Sequence, residues 1–105
     1  MGKLNDGGTI TVVVTTYNHQ GKYLPKSLAS VFDQTRKPAE VIIVDDGSTD
    51  NTPQIVAKFG QKVRYIRHKK RLRGAPTFNS GLGAALSDYL IILPAEFYIS
   101  PFKRI

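Results

Sequence analysis

No cysteine occurs among the 105 residues, which excludes a disulfide framework, a zinc-finger module and thiol catalysis. Long apolar runs are also missing. The two longest, Ile10 to Val14 and Tyr89 to Leu93, fall far short of the ~20 residues that a spanning helix needs. The first eight residues, rich in Gly, contain no apolar stretch of the kind a secretory signal carries, so a disordered lead is expected over 1–8. A cytoplasmic chain with one domain over 9–105 follows, large enough at 41% apolar residues to bury a core. Acids are absent from residues 62–73, where Lys62, Arg64, Arg67, Lys69, Lys70, Arg71 and Arg73 fall together. The remaining bases and acids balance at eight each, so the whole net charge of +7 belongs to that one segment.

Glycine is missing where phosphate-binding loops require it. A dinucleotide fingerprint needs several glycines after the first strand, and only Gly21 is there; Gly81-Leu82-Gly83 lacks the third glycine. Gly21-Lys22 is no P-loop, because Thr16 stands at the position of its partner glycine.

Four β-branched runs are present: Thr9 to Thr15, Glu40 to Val44, Val63 to Arg67 and Asp88 to Leu93. The first, second and fourth are nearly continuous in apolar residues, as expected for strands covered on both faces, whereas the third alternates and reads as an edge. Leu24, Leu28, Val31 and Phe32 recur at helical spacing between the first two runs. Asp50, Asn51 and Thr52 offer caps for a second helix that carries Ile55, Val56 and Phe59 and ends at Gly60. Pro76 can open a third, with Phe78, Leu82, Ala85 and Leu86 as its apolar positions, weakened by Gly81 and Gly83.

This alternation predicts an α/β fold: a Rossmann-like, doubly wound, mainly parallel four-stranded sheet in the order 3-2-1-4, with helices on both faces. The ligand crevice is then expected at the carboxyl ends of strands 1 and 4, with strand 2 beside them. Thr15-Thr16-Tyr17-Asn18, Asp45-Asp46-Gly47-Ser48 and Pro94-Ala95-Glu96 stand there. A phospho-acceptor receiver domain is excluded, since its acidic pair would follow strand 1 and here the pair follows strand 2.

Val14-Thr15-Thr16-Tyr17-Asn18, the Leu28, Ser30, Val31 and Gln34-Thr35 positions, and Glu40 through Thr52 resemble the nucleotide-sugar-binding half of a family 2 glycosyltransferase with the GT-A fold. The likeness is specific to about residue 60 and looser through Asn79-Ser80-Gly81 and the fourth strand. It implies a domain that binds a nucleoside-diphosphate sugar, with UDP favoured, for transfer to an acceptor. Thr15 and Tyr17 would line the base and ribose pocket, Asp46 would accept the imino hydrogen of the base, Asp45 would support the site or face the sugar side, and Asn79 keeps a matching position.

A divalent cation, Mn²⁺ or Mg²⁺, would be held after strand 4 by Glu96, in a motif weakened by Pro94 in place of its first acid. Phe78 stands where an Arg is expected. The acceptor pocket and general base of such enzymes follow the strand 4 motif, and nine residues follow Glu96, so a truncated GT-A domain without its acceptor half is expected. The basic segment 62–73 could reach a diphosphate or an anionic membrane surface. The alternatives are a degenerate, non-catalytic nucleotide-binding module and a basic nucleic-acid-binding domain, with no specific nucleic acid expected.

Overall fold

A computed structural model describes residues 8–34 and 37–97. The expected lead over 1–8 lies outside the described residues except for Gly8, and so do Thr35 and the stretch beyond Phe97. Strand β1 (Ile10–Thr16) leads through a 3-10 turn (Asn18–Tyr23) into helix α1 (Leu24–Phe32), followed by β2 (Glu40–Asp45) and α2 (Thr52–Ala57). A second 3-10 turn (Gly60–Lys62), strand β3 (Arg64–Arg67), helix α3 (Gly74–Ala84) and strand β4 (Tyr89–Pro94) complete the order. The four strands are parallel and lie in the order β3-β2-β1-β4, as the alternation predicts.

The two central strands supply the core because both of their faces are covered. Val12, Val14, Val41 and Ile43 pack under Leu24, Leu28 and Val31 of α1 and Val56 of α2. Val13, Ile42 and Val44 point the other way, beneath the face on which α3 lies. Register joins them: Val13 stands opposite Ile42 on one side and Ile92 on the other.

Helix α3 sits close to the sheet, and glycine is the reason it can. A Cβ at Gly81 would come within 2.6 Å of Val13 Cγ1, a separation no real side chain tolerates. The residue that costs helix propensity therefore sets the helix-to-sheet distance.

Two expectations fail on this side of the molecule. Strand β4 was expected to be covered on both faces, yet Tyr89, Ile91 and Ile92 are exposed, because α3 lies over β1 and β2 and β4 is an edge of the described sheet. The expected apolar stripe of α3 is also displaced: the helix ends at Ala84, and Leu82 and Leu86 are exposed, Leu86 at 83%. The contact face passes through Thr77 and Gly81, four residues apart, which a search for large apolar residues overlooks.

Candidate functional site

The two acids that follow one another at the end of β2 have different surroundings. Asp45 is fully buried. Its Oδ1 accepts the N–H of Ser48 at 2.9 Å, and its Oδ2 accepts the hydroxyl of Tyr65 from β3. Burial and that carboxylate together push the Tyr65 phenol above its ordinary range. Asp45 thus ties the turn to the edge strand.

Asp46, also buried, meets the loop that leaves β3. Its Oδ1 lies 2.8 Å from His68 Nδ1 and accepts the N–H of Leu72 at 2.8 Å, while its Oδ2 accepts the N–H of Arg73 at 2.8 Å. Arg71 Nε stands 3.9 Å from Oδ2. Burial by itself would raise the Asp46 carboxyl, but the Leu72 amide, His68, the Arg73 amide and Thr77 outweigh it and hold the group below the usual carboxylate range. At neutral pH Asp46 is an ionised acceptor. The second ring nitrogen of His68 lies 2.7 Å from Ser80 Oγ, so the imidazole bridges Asp46 to α3.

Gly47 makes this arrangement possible. Its φ is +86°, and a Cβ there would meet the backbone N of Arg71 at 2.6 Å, so the basic loop can lie directly on the turn only because the position carries no side chain. Asn18, with φ of 40°, fastens β1 to the same turn: its Oδ1 accepts the N–H groups of Thr49 at 2.6 Å and Asp50 at 3.2 Å, and its own N–H donates to Ser48 Oγ at 2.7 Å. Asp50 then accepts the Thr52 N–H at 3.0 Å, an Asx turn that leads into α2.

A cavity of about 220 Å³ opens at the carboxyl ends of β1 and β2, lined by Thr15, Thr16, Tyr17, Asp46, Arg71, Arg73, Gly74 and Thr77. The Arg71 guanidinium lies 3.8 Å from the centre of the Tyr17 ring, a cation–π stack on one aromatic face. Arg73 and Gly74, at φ of 64° and 48°, turn the chain into α3 beside the cavity. A non-glycine residue in that region stores strain of about 1–3 kcal/mol, which the bond from its amide to Asp46 helps to hold.

The structure thus gathers Thr15, Tyr17 and Asp46 around one cavity and leaves the other proposed residues outside its lining. Asp45 lies in the turn behind it. Asn79 is exposed on α3. Glu96 is exposed beyond β4 and lines a different hollow, with Tyr23, Lys26 and Ser27. No cluster of three His, Asp or Glu side chains occurs among the described residues. The residues present do not fit a protein-built cage for a divalent cation.

All seven bases of the segment 62–73 are exposed, and several of them also meet the fold. Arg64 donates to the carbonyl of Ala84 at 3.0 Å, Arg67 to the carbonyl of Ser48 at 2.7 Å, and Arg71 and Arg73 face the cavity; Lys69 and Lys70 are exposed. Sequence reasoning reaches this loop through its charge and Asn18 through its place after β1, but misses His68 and Thr77 as parts of the site. Their partners arrive from distant elements, and a single His or Thr carries no local signal of that.

The model of the family described as Glycosyl transferase family 2 matches residues 11–101. An uncharacterised glycosyltransferase of Nostoc sp. is 33% identical over 98 residues, which are 90% of this chain and 30% of the relative. The solved structure of S. aureus TarS in complex with UDP is similar over 86% of this chain and 28% of that one, with a TM-score of 0.76 and 30% identity. A mannosyltransferase of Pyrobaculum calidifontis, solved in complex with GDP-Man and Mn²⁺, is similar over 85% and 28%, with a TM-score of 0.73 and 27% identity. The chain spans about 30% of the length of the first curated relatives it matches. By the extent of the family match and the shared sheet order, the chain belongs to glycosyltransferase family 2, with the GT-A fold.

Proposed function

We propose that these residues bind the nucleoside-diphosphate part of a sugar donor of the UDP type, for glycosyl transfer to an acceptor. One observation carries the reading: a buried, ionised carboxylate, Asp46, shares a cavity with the Tyr17 ring and with two guanidinium-bearing residues, Arg71 and Arg73. A carboxylate accepts the imino hydrogen of a pyrimidine base, an aromatic ring stacks on its face, and guanidinium groups attract a diphosphate. TarS, a relative in the same fold, has been solved with UDP and with UDP-GlcNAc. Arg71 already occupies a face of Tyr17, so a base that stacks there must displace its guanidinium.

Transfer itself is a displacement at the anomeric carbon, which needs a general base within reach of the acceptor hydroxyl. None of the described residues is assigned that role. Glu96 is the carboxylate that would meet a cation after β4, and the hollow it lines, with Tyr23, Lys26 and Ser27, brings no second carboxylate to it among the described residues.

Calorimetric titration of the chain with UDP, with and without Mn²⁺, tests the proposal. Saturable binding with a Kd between about 1 μM and 1 mM, changed less than about twofold by the metal, is expected. A folded chain that shows no heat of binding at millimolar UDP would overturn it.

Binding without turnover is a second reading, favoured by Pro94 in place of the first acid of the strand 4 motif. Metal-dependent hydrolysis of a UDP-sugar by this chain would count against that reading. The nucleic-acid and membrane alternatives draw on the same exposed bases, of which Arg64 and Arg67 also bond backbone carbonyls and Arg71 and Arg73 also line the cavity.

A further inference from the structure

Thr77 lines the cavity, is 6% exposed, and its Oγ1 is buried with no hydrogen-bond partner. A buried hydroxyl left without a partner is unfavourable, and native structures seldom keep one without use for it. Thr77 lies one helical turn before Gly81, on the face of α3 that meets the sheet. That places it over the carboxyl ends of β1 and β2, near enough to Asp46 to help lower the carboxyl although no bond of ordinary geometry joins them. Thr16, which also lines the cavity, has a second orphaned hydroxyl, but its side chain leaves the strand on the opposite face. Strand alternation sets Thr16 on the face of Val14, beneath α1, whereas Thr15 shares the face of Val13, beneath α3.

Asp46 can only accept. A uracil edge presents an imino N–H flanked by two carbonyl oxygens, so a carboxylate satisfies its centre and cannot satisfy its flanks. A hydroxyl can, because it donates. A cytosine edge offers a bare ring nitrogen, an acceptor, where uracil has its N–H, and so sets acceptor against acceptor at Asp46.

Resting on the nucleotide-binding reading above, we infer that Thr77 is a specificity-determining residue. Its hydroxyl donates to the C4 carbonyl beside the imino group held by Asp46, the position at which cytosine carries an amino group instead, and this selects a uracil-type base. Arg71 and Arg73 line the same cavity and serve the charged part of the ligand.

The test compares the wild-type chain with Thr77→Val, which keeps shape and loses the hydroxyl, and Thr77→Ser, which keeps the hydroxyl. UDP and CDP are titrated against each by calorimetry, with folding checked by circular dichroism. Thr77→Val should lower UDP affinity about tenfold and leave CDP affinity within about twofold, and Thr77→Ser should stay close to wild type for both. Equal UDP affinity in wild type and a folded Thr77→Val overturns the inference. Should Thr77→Val fail to fold, the wild-type chain decides alone: UDP analogues in which sulfur, a weak acceptor, replaces one or the other carbonyl oxygen must differ in affinity, and equal affinity with UDP for both overturns it. A wild-type chain that binds neither nucleotide overturns the nucleotide-binding proposal itself, an outcome distinct from these.

Discussion

The two halves of the sheet differ in what their apolar residues do. In β1 and β2, Val13, Val14, Ile42, Ile43 and Val44 are fully buried between helices, and the acids that follow are held by several donors each. In α3 and β4, an equally apolar sequence leaves Leu82, Leu86, Tyr89, Ile91 and Ile92 exposed. Similar hydrophobic runs therefore have dissimilar energetic roles, and coverage by neighbouring elements decides which role a run takes.

The largest contrast should come from paired truncations. Ile43→Ala removes a fully buried side chain and should cost about 2–5 kcal/mol, whereas Ile91→Ala, at a position 42% exposed, should cost less than about 1 kcal/mol. Urea unfolding of both variants reads the difference, and equal losses would show that β4 is covered in solution. Next are the glycines of α3. Gly81→Val drives a side chain into Val13 and should cost about 1–3 kcal/mol, while Gly83→Ala, with open space around it, should be neutral or stabilising by up to about 1 kcal/mol.

The adjacent acids separate stability from binding. Asp45→Ala leaves the Ser48 amide and the Tyr65 hydroxyl without their acceptor and should cost about 1–3 kcal/mol in thermal unfolding. Asp46→Asn should weaken UDP binding about tenfold in calorimetry while the fold persists, since an amide replaces the charged acceptor. If Asp45→Asn weakens UDP as much as Asp46→Asn does, the division of labour between the two is wrong.

The smallest effect is on pH. The folded pKa of Asp46 lies below its ordinary value of 3.8, so its ionised form contributes stability that is complete above that value and lost as pH falls through the folded pKa. Below pH 4 the midpoint of thermal unfolding should therefore fall more steeply in wild type than in Asp46→Asn. Parallel curves would remove Asp46 from the account.

The sheet order could be read from sequence because β1 and β2 have continuous apolar runs while β3 alternates, its Tyr65 on one face and Ile66 on the other. The exposure of β4 could not, since a strand's composition reports its affinity for a cover and not whether one is near. Asp46 was accessible through the Asp-Asp-Gly turn. The His68 bridge and the orphaned hydroxyl of Thr77 depend on the loop meeting a turn some twenty residues earlier in the chain, a long-range coincidence without a local signature.

The uncovered β4 edge also bears on how the protein behaves in concentrated solution. An apolar edge strand offers unpaired backbone groups to any similar edge it meets, and the opposing force here is colloidal: molecules carrying +7 repel one another. Salt shortens that repulsion to about 8 Å at physiological strength. Light scattering should accordingly show particle size growing with added salt while the circular dichroism spectrum stays unchanged, and a size indifferent to salt would mean that the charge does not keep these edges apart.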